Sequence, residues 1–273
     1  MAKIVLEEEQ RKRVQELELE ILAEIDRICV KHNIKYSLGY GTLIGVVRHQ
    51  GFIPWDDDID IAMTRKNYER FKKAAKRELN ERFFYQTNAT DPEYYHLFDK
   101  VRMNDTVFKE TFLAKYNIHH GVYVDIVPID NIPDSKIMFY IQYGLFHFFR
   151  TGLMAKYLDT KARTGKKKII FSILRVLYFP FPVRMLYKNA IIVARKYENK
   201  PGKRVAFLMS PYHLRDVVDS SVYKKYIRMP FEGKNYMVVS DYDYLLKHVY
   251  GDYMKLPPVE KRTTRHDLED LKI

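Results

Sequence analysis

Residues 36–63 have the sequence YSLGYGTLIGVVRHQGFIPWDDDIDIAM, and this stretch decides the fold. It contains four of the 11 glycines of the chain within thirteen positions, which indicates tight turns or a close approach of the backbone to a ligand. Near its end, carboxylates alternate with isoleucines in Asp58-Ile59-Asp60-Ile61. An alternation with a period of two predicts a strand whose isoleucines face the core, so that Asp58 and Asp60 point together to the opposite face.

The second acidic signal lies farther along the chain, at Asp125 in the apolar run GVYVDIVPID (121–130). A charge in such a strand is costly unless it faces a site. Neighbouring carboxylates also repel each other unless a cation lies between them, and Mg²⁺ is a hard ion that prefers oxygen ligands and binds phosphate oxygens. We therefore expect Asp58, Asp60 and Asp125 to hold one or two Mg²⁺ ions. The alternative for the first acidic run is a solvated loop.

The pattern around these acids predicts a fold of mixed class. The predicted helices span 5–32, 42–48 and 65–83, and the predicted strands span 34–38, 58–63, 96–103 and 121–130. This order indicates an α/β or α+β core with a mixed sheet over 1–135. A basic, aromatic-rich, mainly helical segment over 136–240 is inserted in this core or appended to it, and a tail over 241–273 returns to the core.

The positive charge of the chain is concentrated in one segment. The net charge is +12, and the segment between Arg150 and Arg204 holds 15 Lys and Arg residues but only two acids. Its apolar runs are shorter than the roughly 18–20 residues that span a bilayer. An apolar stripe beside KARTGKKK (161–168) favours contact of 150–204 with an anionic membrane surface, and the alternative is a helical subdomain with solvated lysines. Nucleic acid is not expected, because no zinc-finger, RNP or leucine-zipper pattern accompanies the charge.

Composition and cysteine content limit the class and the compartment of the protein. With 47% hydrophobic and 14% aromatic residues, the chain is neither disordered nor fibrous. A single cysteine, Cys29, excludes an internal disulfide and a cysteine zinc site, and favours a reducing compartment. The first twenty residues lack the apolar core of a signal peptide. We therefore expect a cytoplasmic protein, peripheral on the inner face of the membrane if the basic segment binds lipid.

Residues 36–71 closely resemble the characteristic motif of the LicD family, whose relatives include the fukutin-type transferases. The resemblance extends to DKVRMNDTVF (99–108), HHGVYVDIVPID (119–130) and YGDYMKLPPVEKR (250–262), so it covers both ends of the chain. It implies a phosphotransferase on a nucleotidyltransferase-like fold. The best-known bacterial members transfer phosphocholine from CDP-choline to a hydroxyl of a teichoic acid or lipopolysaccharide sugar, and the glycan acceptor is expected to be lipid-linked.

The resemblance also implies roles for individual residues. It assigns the metal to the three carboxylates named above, and the donor phosphates to the turn Gly41-Thr42 and to Arg48. The acceptor hydroxyl needs a base, for which Asp125 and Asp56 are candidates and His266 is a third choice.

Three further residues are candidates for substrate binding. Lys100 and Arg102 alternate on a strand and are able to face the phosphates together, and a solvated strand edge is the alternative. Trp55 is the preferred member of an aromatic box for the quaternary ammonium of choline, and core packing is its alternative. Rival functions are transfer from another CDP-alcohol such as CDP-ribitol, direct nucleotidyl transfer, and a non-catalytic module that binds membrane or nucleic acid.

Overall fold

The computed structural model describes residues 6–157, 165–200, 202–264 and 266–273. Within these ranges, a mixed sheet of seven strands forms the centre of the fold, with two small two-stranded sheets and seven α-helices around it. The predicted α+β class is confirmed. The strands are β1 (Ser37–Leu38), β2 (Asp60–Thr64), β3 (Phe83–Gln86), β4 (Asp99–Met103), β5 (Val107–Glu110), β6 (Tyr123–Ile132), β7 (Arg204–Ala206), β8 (Val217–Asp219), β9 (Tyr226–Phe231), β10 (Lys234–Val239) and β11 (Leu268–Lys272). The helices are α1 (Glu8–Lys31), α2 (Tyr40–His49), α3 (Arg65–Glu78), α4 (Lys136–Tyr157), α5 (Gly165–Leu177), α6 (Val183–Ala194) and α7 (Tyr242–Tyr250).

The register of the central sheet determines which polar side chains meet. The main path of the sheet is β1-β2-β6-β4-β3. β2 lies parallel to β6 with Asp60 opposite Asp125, and β4 lies antiparallel to β6 with Lys100 opposite Asp125. Residues opposite each other on neighbouring strands point to the same face. The sheet therefore brings Asp60, Asp125 and Lys100 together from three separate parts of the sequence.

Helices α1 and α3 pack against the central sheet. The apolar stripe of α1 is buried at Val14, Leu17, Ile21, Ile25 and Ile28, which is the spacing that predicted this helix. The helix carries acidic residues in its first turn and Lys31 in its last, as its dipole favours. The main core thus lies between these helices and the sheet.

The basic segment begins as a helical insertion between two strands of the same sheet. The chain leaves the sheet at Ile132, forms α4, α5 and α6, and returns at Arg204, where β7 pairs antiparallel with the end of β6. The three helices have an apolar core of their own, centred on residues such as Phe146, Leu153 and Leu186. Residues 158–164, which include part of the lysine-rich run, lie outside the described residues.

The second part of the predicted basic segment, from Arg204 onward, consists mainly of strands, whereas its first part is helical. From Arg204 onward, β7 and β8 extend the sheet and β9 and β10 form a hairpin. This hairpin packs on the main core, where the Val239 N–H donates to the Ser37 hydroxyl at 3.0 Å. In the tail, α7 follows and β11 pairs antiparallel with β5, so the tail returns to the core with regular structure. The helical character predicted for 136–240 therefore ends near Tyr197.

One boundary that differs from the sequence prediction affects the site. The helix predicted over 42–48 begins earlier, at Tyr40, because Gly39 is its N-cap and the Gly39 carbonyl accepts the first helical hydrogen bond. Gly41-Thr42 therefore lies in the first turn of α2 and not in a turn that precedes the helix. Tyr40 itself has a φ of 48°, a left-handed conformation that is strained for a bulky residue.

Two other boundaries also differ. The strand predicted over 58–63 begins at Asp60, so Asp58 lies in the extended segment just before β2. The helix predicted over 65–83 ends at Glu78, and the aromatic residues that follow form β3, because aromatic side chains favour strands.

Candidate active site

The carboxylates of Asp60 and Asp125 share one cavity on the face of the central sheet. Because the two residues are opposite each other on parallel strands, their Cα atoms are separated by about one interstrand spacing of ~4.8 Å. The Asp125 N–H donates to the Ile59 carbonyl at 2.9 Å, which extends this pairing toward Asp58. Both side chains line a cavity of about 210 Å³. The acids that the sequence places on separate strands thus do lie on one face.

Burial and nearby carboxylates both disfavour ionisation of the two acids on this face. Burial raises the pKa of Asp60 well above its usual range, and the nearby carboxylates of Asp58, Asp125 and Asp56 raise it further, in that order. Burial also raises the pKa of Asp125, and Lys100 partly offsets that increase. Asp60 and Asp125 are therefore harder to ionise than free carboxylates, which is the situation that a bound divalent cation relieves.

A tight group of carboxylates lies just before β2. Among the described residues, Asp56, Asp57 and Asp58 are the group of three that places one ligand atom from each within 4.8 Å of the others. The predicted trio of Asp58, Asp60 and Asp125 is more widely spaced than this group. All of these donors are carboxylate oxygens, and this donor set fits Mg²⁺. Which of these acids hold the metal stays a prediction.

Sequence reasoning missed a further acid at this site, Glu18 of α1. The Glu18 side chain is only 2% exposed, and its Oε2 has no hydrogen-bond partner among the described residues. Burial raises its pKa well above the usual range, and the charges of Asp58, Asp57 and Asp56 raise it further. The available signal was its position four residues after Val14, because that position falls on the buried stripe of the helix.

The first turn of α2 is built against the acidic segment. The Thr42 hydroxyl accepts a hydrogen bond from the Asp60 N–H at 2.9 Å, and the Gly39 N–H donates to the Asp60 carbonyl at 2.9 Å. A Cβ added at Gly41 would lie 2.8 Å from Oδ2 of Asp56, which is closer than side chains approach. As at any helix N-terminus, the first N–H groups of α2 have no partner within the helix, and they are suited to bind an anion.

Of the predicted cationic residues, Lys100 lies at the site and Arg102 does not. Lys100 Nζ is 2.7 Å from Oδ1 of Asp125 and 3.2 Å from the centre of the Tyr123 ring, and its side chain is buried. Arg102 is fully buried, and its guanidinium donates to Gln86 Oε1 at 2.5 Å and to the Gly121 carbonyl at 2.6 Å. In this structure Arg102 therefore supports the sheet, and it is neither a phosphate contact nor part of a solvated edge.

Arg48 and Trp55 lie near Asp56, since Asp56 influences the charge of Arg48 and directly follows Trp55 in the chain. Arg48 donates to the Tyr253 carbonyl at 3.0 Å, and burial and the charge of Arg262 lower its pKa while Asp56 raises it. The Arg262 guanidinium lies 5.5 Å from the centre of the Trp55 ring, and Trp55 also packs against the main core. Trp55 does not line the cavity that holds Asp60 and Asp125, so its place in an aromatic box stays a prediction.

His266 contacts two acids and a tyrosine beside the acidic segment. Its Nδ1 is 3.1 Å from Asp57 Oδ1, and its Nε2 is 3.1 Å from the Tyr123 hydroxyl and 3.8 Å from Glu110. Burial alone lowers its pKa, but the hydrogen bond to Asp57 and the charges of Glu110, Asp57 and Asp58 outweigh burial and raise the pKa to about 10. The raised pKa favours the protonated ring, which lies between acids, and the part of His266 as a base stays a prediction.

Aromatic side chains form part of the lining of this cavity, which we call the aromatic wall. The wall contains Tyr40, Phe98, Phe207 and Tyr212. The Phe207 ring lies 5.9 Å from the Tyr40 ring and 6.3 Å from the Phe98 ring, measured between centroids. Phe207 and Tyr212 follow β7, far along the chain from the acidic motif, so sequence reasoning had no local signal for them.

Comparison with known proteins is consistent with this site. The profile of the family described as "LicD/FKTN/FKRP, nucleotidyltransferase domain" matches residues 33–150, which hold the first turn of α2 and five of the acids. The lipopolysaccharide cholinephosphotransferase LicD of Haemophilus influenzae is 30% identical over 260 residues, which cover 91% of this chain and 92% of that protein. An uncharacterized protein of Rickettsia typhi is 41% identical over 54 residues, 20% of this chain and 18% of that protein. The similarity to the Haemophilus influenzae protein runs through nearly the whole of both chains. The chain therefore belongs to the LicD family.

Proposed function

We propose that the protein transfers phosphocholine from CDP-choline to a sugar hydroxyl of a cell-surface glycan, with Mg²⁺ bound by its carboxylates. Lipopolysaccharide is the first acceptor to test, because the Haemophilus influenzae relative carries that substrate in its name. A teichoic acid is the second, and in both cases a lipid-linked precursor is the expected form. The observation that carries the proposal is that four aromatic rings and two carboxylates line the same cavity.

The aromatic wall favours choline over other donor head groups. A quaternary ammonium has no N–H to donate, so proteins bind it by the faces of aromatic rings at distances up to about 6 Å. Tyr40, Phe98, Phe207 and Tyr212 offer four rings around one space. A polyol such as ribitol needs hydrogen-bond partners for several hydroxyl groups, and a wall that includes two phenylalanines provides few.

The residues of the chain suit a reaction that depends on alignment. Asp58, Asp60 and Asp125 are the expected holders of Mg²⁺, which when bound neutralises charge on the diphosphate. The first N–H groups of α2 and the guanidinium of Arg48 would bind the phosphate oxygens and orient the donor. Lys100 balances the charge of Asp125 and so limits repulsion of the anionic donor.

The acceptor hydroxyl needs a proton acceptor, and two carboxylates are better candidates for it than His266, whose pKa is raised by its acidic partners. Asp125 is one candidate, because burial raises its pKa and so makes its carboxylate a stronger base. Asp56 is the other, and it lies against Gly41 in the first turn of α2. The displaced CMP would leave from the side of that turn.

The central experiment measures CMP release from CDP-choline by the purified protein with Mg²⁺ and a lipid-linked lipopolysaccharide precursor, with CDP-ribitol as the competing donor. CDP-choline should be the preferred donor, and Asp58→Asn should remove nearly all turnover while the fold is retained. Phe207→Ala should raise KM for CDP-choline by roughly tenfold, the value of one cation–π contact. Tyr244→Ala, which removes an aromatic ring from an exposed position outside the cavity, is the matched control and should change nothing.

Three results would refute parts of the proposal separately. Faster turnover of CDP-ribitol would refute choline as the head group but keep the transferase. Turnover that is unaffected by chelation of divalent cations would refute the metal. Affinity for CDP-choline without any CMP release, with every acceptor tried, would favour a non-catalytic binding module.

A further inference from the structure

Helix α5 exposes an apolar face that nothing in the described structure covers. None of its residues with a described side chain is buried. Ile169, Ile173 and Val176 recur at the spacing of one helical face, and their exposed fractions are 62%, 54% and 74%. Phe179, in the turn after α5, is 79% exposed. Single exposed apolar residues are ordinary, but a run on one face of a helix marks an interaction surface.

The exposed turn around Phe179 is held in place from the inside. Lys156 Nζ donates to the carbonyls of Tyr178, Phe179 and Phe181 at 3.2, 3.1 and 2.7 Å. The Arg175 side chain donates to the Ala155 carbonyl at 2.8 Å and fixes α5 against α4. The exposure of Phe179 is therefore a consequence of specific contacts that present the ring to the outside.

A second exposed apolar stripe, on α4, adjoins the first. Ile137, Ile141, Leu145 and Phe148 follow one another at helical spacing, and all four are exposed. The Phe148 ring is 5.2 Å from the Tyr178 ring, so the stripe of α4 reaches the turn that carries Phe179. We call the exposed residues of these two stripes and the turn the apolar face.

The apolar face is accompanied by positive charge. Lys166 and Lys168 are exposed in the first turn of α5, which contains no acidic residue. Cations at a helix N-terminus oppose the helix dipole, so they do not serve the stability of the helix. Arg184 and Lys188 are exposed on α6, and Glu198 is the one acid among residues 165–200.

We propose that the apolar face and its lysines bind the surface of an anionic phospholipid bilayer, with α5 lying in the plane of the interface. An amphipathic helix with apolar residues on one side and lysines beside them is the element that binds such a surface. None of the helices in the described part of the chain combines the length and the apolar character that a membrane span requires.

Charge complementarity selects the bilayer over the other occupants of such a surface. A second copy of this chain would bring the same lysines against each other, which like-charge repulsion disfavours. A nucleic acid would satisfy the lysines but leave the aliphatic side chains without a partner, since it is bound through phosphates and base stacking. An anionic bilayer satisfies both, because its head groups attract the lysines and its acyl chains accept the isoleucines. The proposal does not depend on the reaction proposed above.

The test is flotation of the full-length protein with vesicles of phosphatidylethanolamine and phosphatidylglycerol, compared with vesicles of phosphatidylcholine alone. The protein should float with the anionic vesicles at low salt and much less at high salt. The triple variant Ile173→Gln/Val176→Gln/Phe179→Gln should reduce the bound fraction by roughly tenfold or more. The control Val30→Gln/Leu214→Gln/Val259→Gln removes exposed apolar side chains elsewhere and should float like the unchanged protein.

The charge contribution is tested in the same way. Lys166→Gln/Lys168→Gln should weaken flotation on anionic vesicles, whereas Lys73→Gln/Lys76→Gln, which removes two exposed lysines of α3, should not. Absence of flotation at low salt would overturn the proposal. It would also be overturned if both triple variants lost binding equally. If the unchanged protein did not bind vesicles but sedimented as a dimer, and if the Ile173/Val176/Phe179 variant sedimented as a monomer, the apolar face would be assigned to a second copy of the chain. Binding of duplex DNA through the same lysines, without vesicle binding, would assign it to nucleic acid.

Discussion

The hydroxyl of Thr42 accepts a hydrogen bond from the backbone N–H of Asp60 at 2.9 Å. The N–H of Gly39, the N-cap of α2, donates to the carbonyl of Asp60. Both backbone groups of Asp60 are therefore bound by the start of α2. The glycine-rich and the acidic halves of residues 36–63 thus form one structural unit, in which the helix start fixes the strand that carries the carboxylate.

Replacement of Thr42 tests this unit. Thr42→Val keeps the shape of the buried side chain but leaves the Asp60 N–H without its acceptor, which should lower the free energy of unfolding by about 1–3 kcal/mol. Thr42→Ser retains the hydroxyl and should lose much less. Urea unfolding measures the difference between the two variants. An equal loss in both would mean that the methyl group, and not the hydrogen bond, is what the site needs.

Replacement by alanine should affect two glycines of α2 differently, lowering activity at Gly41 and stability at Gly45. In Gly41→Ala the new Cβ would meet the Asp56 carboxylate, a side chain that moves, so we expect a loss of activity with little loss of stability. In Gly45→Ala it would lie 2.4 Å from the Gly51 carbonyl, a backbone atom, so the protein should lose about 2 kcal/mol or more of stability. Turnover and thermal unfolding, measured on both variants, separate the two effects.

Gly144→Ala is the control for this pair. A Cβ at Gly144, in α4, meets nothing within 4 Å, so alanine should raise stability by about 0.5–1 kcal/mol through its helix propensity. A loss of stability in Gly41→Ala as large as that in Gly45→Ala would contradict the view that the closeness of Gly41 to Asp56 serves the site.

The sequence was informative where its signal was local. The alternation of Asp58, Ile59 and Asp60 predicted a strand, which the structure has from Asp60 onward but not at Asp58, and the isolated charge of Asp125 in an apolar run predicted that its side chain shares a polar cavity. The register of β2 and β6 then brings Asp60 and Asp125 together, as a buried mixed sheet with one polar site requires. These inferences needed only the period of a strand and the cost of a buried charge.

The rest of the site depends on contacts between distant segments. Glu18 lies near the acids on α1, a helix whose sequence predicts only packing against the core. Phe207 lines the cavity but belongs to a segment without a recognisable motif. The protonation of His266 and the burial of Arg102 are set by partners that only the tertiary structure supplies, such as Asp57 and Gln86. Residue type alone predicts neither the protonation of the histidine nor the burial of the arginine, because both side chains also occur commonly on protein surfaces.

Neutralising Asp60 should stabilise the protein. Burial and the neighbouring carboxylates raise the pKa of Asp60, so the folded protein holds this proton more tightly than the unfolded chain does. Ionised Asp60 therefore lowers stability at neutral pH, and the stability from this group increases as the pH falls through its raised folded-state pKa. Asp60→Asn should raise the free energy of unfolding at pH 7 by an amount on the order of 1 kcal/mol.

Magnesium separates this effect from ordinary surface charge. Mg²⁺ should raise the melting temperature of the unchanged protein but not that of Asp60→Asn, because binding to the folded state is lost. Asp252→Asn, which neutralises an exposed aspartate in the tail, should leave both the stability and the response to Mg²⁺ unchanged. A response to Mg²⁺ that persists in Asp60→Asn would remove this residue from the metal site.

The pair of His266 and Asp57 predicts a loss of stability at alkaline pH. The folded-state pKa of His266 is about 10, and the value for an unfolded chain is roughly 6.5. A group whose pKa is raised by folding contributes its full stability below the unfolded value and loses that contribution as the pH rises through the folded value. The free energy of unfolding should therefore fall between about pH 7 and pH 10, by an amount on the order of 3 kcal/mol.

His266→Gln isolates this contribution, because glutamine does not titrate. Its stability should be lower than that of the unchanged protein at pH 7, and the difference should shrink as the pH approaches 10. His248→Gln, at an exposed histidine whose ring lies 3.1 Å from the Val217 carbonyl, should follow the unchanged protein over the whole range. Urea unfolding at several pH values measures the three curves. Parallel curves for His266→Gln and the unchanged protein would mean that the ring is neutral at pH 7, and His266 would then return to the candidates for the base that activates the acceptor.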